Sequence, residues 1–338
     1  VRLVAVQPAW RAEDYATTEA FAARVLDLTL RAVAGAPGPT LVAFPELWAL
    51  PLLATVGGAA GSLPDGLFAA VRTLVRRRGG RWSATAVRRR WSWARAAYAD
   101  LGVAAYDAWT SAFAAAARAS GATLVAGSGF FPTVAFEAAR GLHVVDPRPT
   151  NLALAFAASG AVIARASKVE LTVGLERRVG LTRGRVEDLP VVATPVGRVA
   201  IAVCLDGWYH HVLERLDGLG AQVLVQPSAN DADWDRPWPP DPRLRERDAW
   251  LRLGLRAGLA GRAHLRYGVN PMLVGGLAPL APRGRSTVVA RREGPYAQAV
   301  DEDPGAADWG PAQGVLAIAP TATGEALVVA DVPHPDDL

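Results

Sequence analysis

The chain is nearly devoid of cysteine and lysine. Among 338 residues it has one cysteine, Cys204, and the 36 basic residues comprise 35 arginines and a single lysine, Lys168. A lone cysteine excludes an intramolecular disulfide and any Cys-rich metal site. No HExxH or comparable paired-ligand motif is present, so a His-based metal site is not expected, and no metal is assigned. Long apolar runs are also missing. The charge-free stretch from Leu47 to Pro64 is interrupted by proline and glycine and makes a poor membrane helix. The opening "RLVAVQPAW" reads as a strand and has no basic n-region followed by an apolar h-region, so no secretory signal is expected. A cytoplasmic protein is expected, with no membrane and no nucleic-acid partner, because the formal charge is only +4. Low-complexity linkers are absent, so residues 1–338 are read as one domain.

What is present is globular. Hydrophobic residues make up 51% and charged residues 20%, enough to bury a sizeable core. Strands and helices alternate. "RLVAVQ", "TLVAFPELW", "ATLVAGSGFFP", "TNLALAFAA", "GAVIARASK", "GRVAIAVC" and "AQVLVQPSAN" read as strands, and "PMLVGGL", "RSTVVARR" and "EALVVADV" supply later ones. "AEDYATTEAFAARVLDLTLRAVAG" and "YDAWTSAFAAAARASG" have helical spacing, and "PRLRERDAWLRLGLRAGLAGRAHLRYG" reads as one long amphipathic helix. The pattern predicts an α/β protein with helices packed on its sheets. Residues 76–109, dense in arginine and tryptophan, interrupt this rhythm and read as an inserted helical hairpin. Its composition is also that of a polyanion or membrane-surface binder, although one such patch is a weak signal.

Three reactive groups occupy the same kind of position. Glu46 follows "TLVAFP", Lys168 ends "AVIARASK" and Cys204 ends "GRVAIAVC". Carboxyl ends of strands in α/β folds converge on one edge, so the three can share a pocket. The set is chemically coherent. A thiol is mostly protonated at neutral pH, and a neighbouring carboxylate can take its proton and later return it to a leaving amine. An ammonium favours the thiolate and can hold a tetrahedral oxyanion, where one donor is worth roughly 3–4 kcal/mol of barrier. Lysine suits this as a compact point charge, which is a reason for an arginine-rich chain to retain one. The bland readings are a buried filler thiol, a helix-start carboxylate and a chance lysine. His210 and His211 beside Cys204 raise a papain-like alternative. Ring nitrogens so close in sequence splay away from the thiol.

The blocks "LVAFPELW", "ASKVELTVGLE" and "VAIAVCLDGWY" resemble the three signature blocks of the carbon–nitrogen hydrolase family, or nitrilase superfamily. The resemblance implies Glu46 as general base, Lys168 as oxyanion partner and Cys204 as nucleophile, with Glu176 positioning substrate and lysine. It extends to the first strand, to the Asn-bearing strand before Lys168, to "VLVQPSAN" and to "GRST" at Gly284–Thr287, and leaves residues 60–115 outside it. From it follow a four-layer αββα sandwich, a homodimer or larger assembly, and no cofactor. Leu205 (through its backbone N–H), Trp208, Ser228 and Asn230 become substrate-positioning candidates. The implied activity is a thiol amidohydrolase on a small linear amide or carbamoyl compound, through a Cys204 thioester. Nitrile hydrolysis and acyl transfer are alternatives, and a non-catalytic binding protein on the same fold is the rival class. "CLD" matches amidase branches better than the "CWE" of nitrilases, and Trp208-Tyr209 is similar to the carbamoylputrescine amidase branch. Two departures touch the substrate side: His210 and His211 replace a Pro-Glu pair, and the Glu-Asn pair usual near "GRAHLRYG" is missing.

Overall fold

The computed structural model describes residues 1–137, 139–291 and 314–338. Its first strand shows how the sequence builds layers. In β1 (Arg2–Gln7), Leu3 and Ala5 point into one buried cluster and Val4 and Val6 into another, as the two-residue period requires. A strand buried on both faces belongs in the middle of a covered sheet. It lies between β2 (Thr40–Ala43), parallel to it, and an antiparallel strand from the end of the chain, Ala326–Asp331. Next come β3 (Thr123–Glu137), β4 (Gly141–Phe156) and β5 (Val162–Ser167), completing six strands.

The second sheet holds β6 (Val191–Thr194), β7 (Gly197–Ile201), β8 (Val223–Val225), β9 (Tyr267–Asn270), β10 (Thr287–Ala290) and β11 (Val315–Ile318); the late strand Ala326–Asp331 of the first sheet is β12. Starting from β12 in one sheet and β6 in the other, successive pairs run antiparallel, parallel, parallel, antiparallel, antiparallel in both. The chain therefore repeats one sheet topology twice. Leu3, Ala5, Leu41, Ala43, Ala153 and Ala155 of the first sheet share a buried cluster with Val199, Ile201, Val223, Val225 and Val269 of the second. The alanines keep the first sheet's inner face flat.

Helices cover the outer faces. In α1 (Thr18–Val33), Phe21, Val25, Leu28 and Ala32 form one buried stripe, and Thr17 caps the start by accepting from the Ala20 N–H at 3.1 Å. A second helix, α2 (Leu67–Arg89), turns back antiparallel into α3 (Trp93–Ser120), whose Trp109 and Phe113 join the α1 cluster. α4 (His210–Gly218) puts Val212, Leu213 and Leu216 on the second sheet. The order helix, sheet, sheet, helix is the expected four-layer sandwich. No helix of the described residues is long and apolar enough to cross a membrane.

Two expectations differ from the structure. The long helix over 242–268 is instead a strand, Asp241–Arg245, a helical turn at Glu246–Asp248, a π turn at Ala249–Leu253 and a short helix at Leu255–Leu259. Gly254 leaves helical geometry with ψ −137°, so the apolar spacing is satisfied by two short pieces. "PMLVGGL" yields only a two-residue strand, Val274–Gly275. The expected strand "RSTVVARR" is present as β10, and its last residue, Arg292, lies outside the described residues. The Arg/Trp stretch is helical as expected, in a longer hairpin than 76–109.

Candidate active site

Strand direction brings the three reactive groups to one edge. β2, β3 and β5 run the same way, so the segments leaving β2 and β5, with Glu46 and Lys168, emerge together. Gly127 lets the first of these close in. Its φ is +66°, and a Cβ there would lie 2.0 Å from the Pro45 carbonyl oxygen. Cys204 leaves the second sheet just beyond β7 and starts a 3-10 turn, Cys204–Trp208. Its own φ is +50°, unusual for a residue with a side chain, and its N–H donates to the Pro227 carbonyl at 2.8 Å.

Glu46, Lys168, Glu176 and Cys204 are all buried. Lys168 Nζ donates to Glu46 Oε1 at 2.7 Å and lies 3.1 Å from Glu176 Oε1. Asn151 Nδ2 donates to the same two oxygens, at 2.8 Å and 2.7 Å. The other oxygens are held by main chain: the Ala229 N–H donates to Glu46 Oε2 at 3.1 Å and the Thr172 N–H to Glu176 Oε2 at 2.8 Å. Cys204 is buried with this group, and Glu46 and Lys168 both act electrostatically on its thiol.

The electrostatics follow from burial and from two carboxylates facing one ammonium. Burial raises the Glu46 pKa, Lys168 opposes the rise and Glu176 adds to it. Burial also raises the Cys204 pKa, and Glu46 pushes it further up against the pull of Lys168. For Lys168, burial acts downward, but Glu46, Cys204 and Glu176 outweigh it and the net direction is up. The directions for Lys168 and Cys204 favour a charged ammonium and a neutral thiol in the resting site. Asp206, fully buried, accepts the N–H groups of Val169 (3.0 Å) and Glu170 (2.6 Å), tying the Cys204 turn to the Lys168 loop. Burial raises its pKa to about 7 despite those bonds.

Other candidates stand apart from this cluster. Leu205 is half-buried in the first turn of the 3-10 helix, where N–H groups have no intrahelical acceptor. Trp208 stacks on Trp238 and meets Trp250 edge-on. The Ser228 hydroxyl donates to the Gln226 carbonyl at 3.0 Å and accepts from Asn270 at 2.8 Å. Asn230 Oδ1 accepts from the Ala232 N–H at 3.3 Å. Neither Ser228 nor Asn230 bonds the Glu46–Lys168–Glu176 group; the Ala229 N–H between them does. His210 is exposed beside Glu214, and His211 lies 3.5 Å from Glu170, so neither ring faces the thiol through a bond. Asn151, which has no assigned role in the sequence, is marked there only as a lone amide heading the apolar run "LALAF".

A four-layer sandwich with a buried thiol, two carboxylates and an ammonium defines an α/β enzyme of hydrolase type. Residues 2–250 match the model of the carbon–nitrogen hydrolase family, and the chain belongs to that family. It is a hydrolase acting on carbon–nitrogen bonds other than peptide bonds. Among solved structures it is similar to the amidase from Nesterenkonia sp., with 18% identity, a TM-score of 0.61 and coverage of 100% of this chain and 93% of that one. A cysteine-to-alanine mutant of the Nesterenkonia sp. AN1 amidase in complex with butyramide matches at 18% identity, TM-score 0.61 and 100% and 94% coverage. A glutamate-to-glutamine mutant carrying the acetamide moiety of fluoroacetamide on its active-site cysteine matches at 18%, 0.61, 99% and 91%. At this identity the likeness is one of fold. None of the curated proteins matches the chain.

Proposed function

We propose that the protein is a thiol amidohydrolase for a small linear amide or carbamoyl compound, with Cys204 as nucleophile, Glu46 as general base, Lys168 as oxyanion partner and Glu176 as the residue positioning the lysine. The observation that carries the reading is the Lys168 ammonium held by Glu46 (2.7 Å) and Glu176 (3.1 Å) beside the buried Cys204 thiol, on which Glu46 and Lys168 both act electrostatically. A neutral thiol beside the Glu46 carboxyl group calls for base catalysis at the moment of attack. Glu46 accepts the thiol proton as Sγ bonds to the carbonyl carbon. The oxygen takes the electron pair and is held by Lys168 and the Leu205 N–H. The C–N bond then breaks, the nitrogen leaving with the proton from Glu46. Water then attacks the thioester carbon as Glu46 takes its proton, the C–S bond breaks to release the carboxylic acid, and Glu46 returns the proton to Sγ, restoring the thiol. Trp208, Ser228 and Asn230 belong to this reading as supports of the substrate side.

Amides rank ahead of nitriles because the similar amidase structures hold butyramide and an acetamide adduct. Nitrile hydrolysis would use the same thiol. We read residues 1–338 as one hydrolase domain with 60–115 as an addition, since α3 packs into the same core as α1. A single buried thiol suits a reducing compartment such as the cytoplasm. A homodimer or larger assembly is checked by sedimentation. The reaction is tested by ammonia release from a panel of amides, carbamoyl compounds and nitriles, with Cys204→Ala as control. Turnover of amides by the wild type alone is expected. No turnover of any compound, with Cys204 inert to alkylation, removes the enzymatic reading.

A further inference from the structure

The strongest unassigned feature lies in the helical hairpin. Between Asp65 and Asp100 the chain has nine arginines and no acidic residue, so with a formal total of +4 the rest of the chain carries a net −5. Part of that charge is organised. Arg77, Arg78 and Arg81 of α2 line a groove of about 440 Å³ with Val56, Gly57 and Gly58, and share no residue with the Cys204 cluster.

The groove is built from a buried anchor outward. Asp100, on α3, has a side chain only 6% exposed and binds Arg78 at 2.9 Å and Arg81 at 3.1 Å, while the Trp82 indole N–H donates to it at 3.0 Å. Arg77 reaches across to donate to the Gly58 carbonyl. The backbone at Gly58 is shaped for that reach: its φ is +76°, and a Cβ there would lie 2.8 Å from the Arg77 guanidinium. Each guanidinium presents five N–H donors in a fixed fork, and each of these contacts uses one nitrogen. Three positive charges face one carboxylate, which leaves the groove complementary to a dianion. A phosphate monoester carries about −1.5 to −2 charges at neutral pH and three acceptor oxygens, matching that surplus and the forks. The volume exceeds what a phosphate group alone fills, leaving room for an organic substituent.

We propose that this groove binds a phosphate monoester. Its source is a small phosphorylated metabolite or the headgroup of a monoester lipid. Exposed Phe68 (60%) and Val71 (51%) at the start of the same helix make the lipid arm necessary in any test.

The test titrates glycerol 3-phosphate, with glycerol as control, into the full chain by calorimetry. In parallel, the protein is sedimented with phosphatidylcholine vesicles with and without phosphatidic acid. Saturable binding of glycerol 3-phosphate and not of glycerol is expected. It should weaken at least about tenfold in Arg77→Ala/Arg81→Ala and hold in Arg88→Ala/Arg89→Ala, which removes equal charge elsewhere on α2. Arg78 is kept to pair Asp100, and the single variant Arg81→Ala, at a side chain 71% exposed, serves if the double variant unfolds. Vesicle binding that needs phosphatidic acid and is competed by glycerol 3-phosphate identifies the lipid source, and its absence beside soluble binding identifies the metabolite. If neither probe binds, the site does not exist. Equal losses in the two double variants, or binding of an oligonucleotide in place of both probes, would show diffuse polyanion attraction and overturn the proposal. Amidase activity does not enter these readouts.

Discussion

Lys168 faces two carboxylates with one charge, and the buried cluster would be unstable without further help. Asn151 supplies it, donating to Glu46 and Glu176 from one amide nitrogen. The ammonium was legible in the sequence because it was the chain's only lysine, placed one residue beyond an apolar strand. The double duty of Asn151 was not, because it depends on β4 lying beside β5 and on Glu46 arriving from 105 residues away. The lysine's compactness matters at 1% exposure. Arginine there keeps the charge but adds atoms to a filled site, an overpacking cost of about 1–3 kcal/mol, and moves the charge off the proposed oxyanion position. Lys168→Arg is therefore expected to fold, with kcat reduced about 100- to 1,000-fold. Thermal melting and amide turnover measured side by side check both halves. Wild-type-like rates would remove the oxyanion role.

At the element scale, the turn Cys204–Trp208 is held from outside its own sheet. Asp206 clamps it to the loop after Lys168 by accepting two main-chain N–H groups from the other sheet's connection. The sequence showed an aspartate in the expected place after the cysteine and could not show what it holds, since Val169 and Glu170 are local to a different motif. The same limit explains the broken helix at 242–268, where apolar spacing alone does not register a backbone turn at Gly254. Burial holds the Asp206 pKa near 7, well above that of an unfolded aspartate at about 3.9. The native state thus keeps a proton that the unfolded chain has released across that interval. Stability from this group is full below about pH 4 and is lost as pH rises through 7, by roughly 4 kcal/mol over the whole interval. In urea melts, the stability of wild type relative to Asp206→Asn should fall steadily between pH 4.5 and 7.5. A difference independent of pH would mean that Asp206 stays ionised throughout.

At the scale of the molecule, the candidate site is split between two sheets that repeat one topology. Glu46 and Lys168 leave the first sheet, Cys204 leaves the second, and the sheets meet through small side chains such as Ala5, Ala43 and Ala155. The alternation of strands and helices made the layers legible. The pairing of the last strand with the first, which completes the first sheet, was not, because nothing local to Ala326–Asp331 names its partner. The split makes catalysis sensitive to the spacing between sheets. Ala155, fully buried on β4, is the place to test it. Ala155→Leu should cost about 1–3 kcal/mol by overpacking and wedge the sheets apart, so that kcat/KM falls far more than the folded fraction does. Val25→Ala, in the α1 stripe on the outer face, should lose comparable stability with kcat/KM unchanged. Urea midpoints and amide kinetics on the two variants separate the cases. If both lose activity only in proportion to unfolding, the site does not depend on the distance between its two halves.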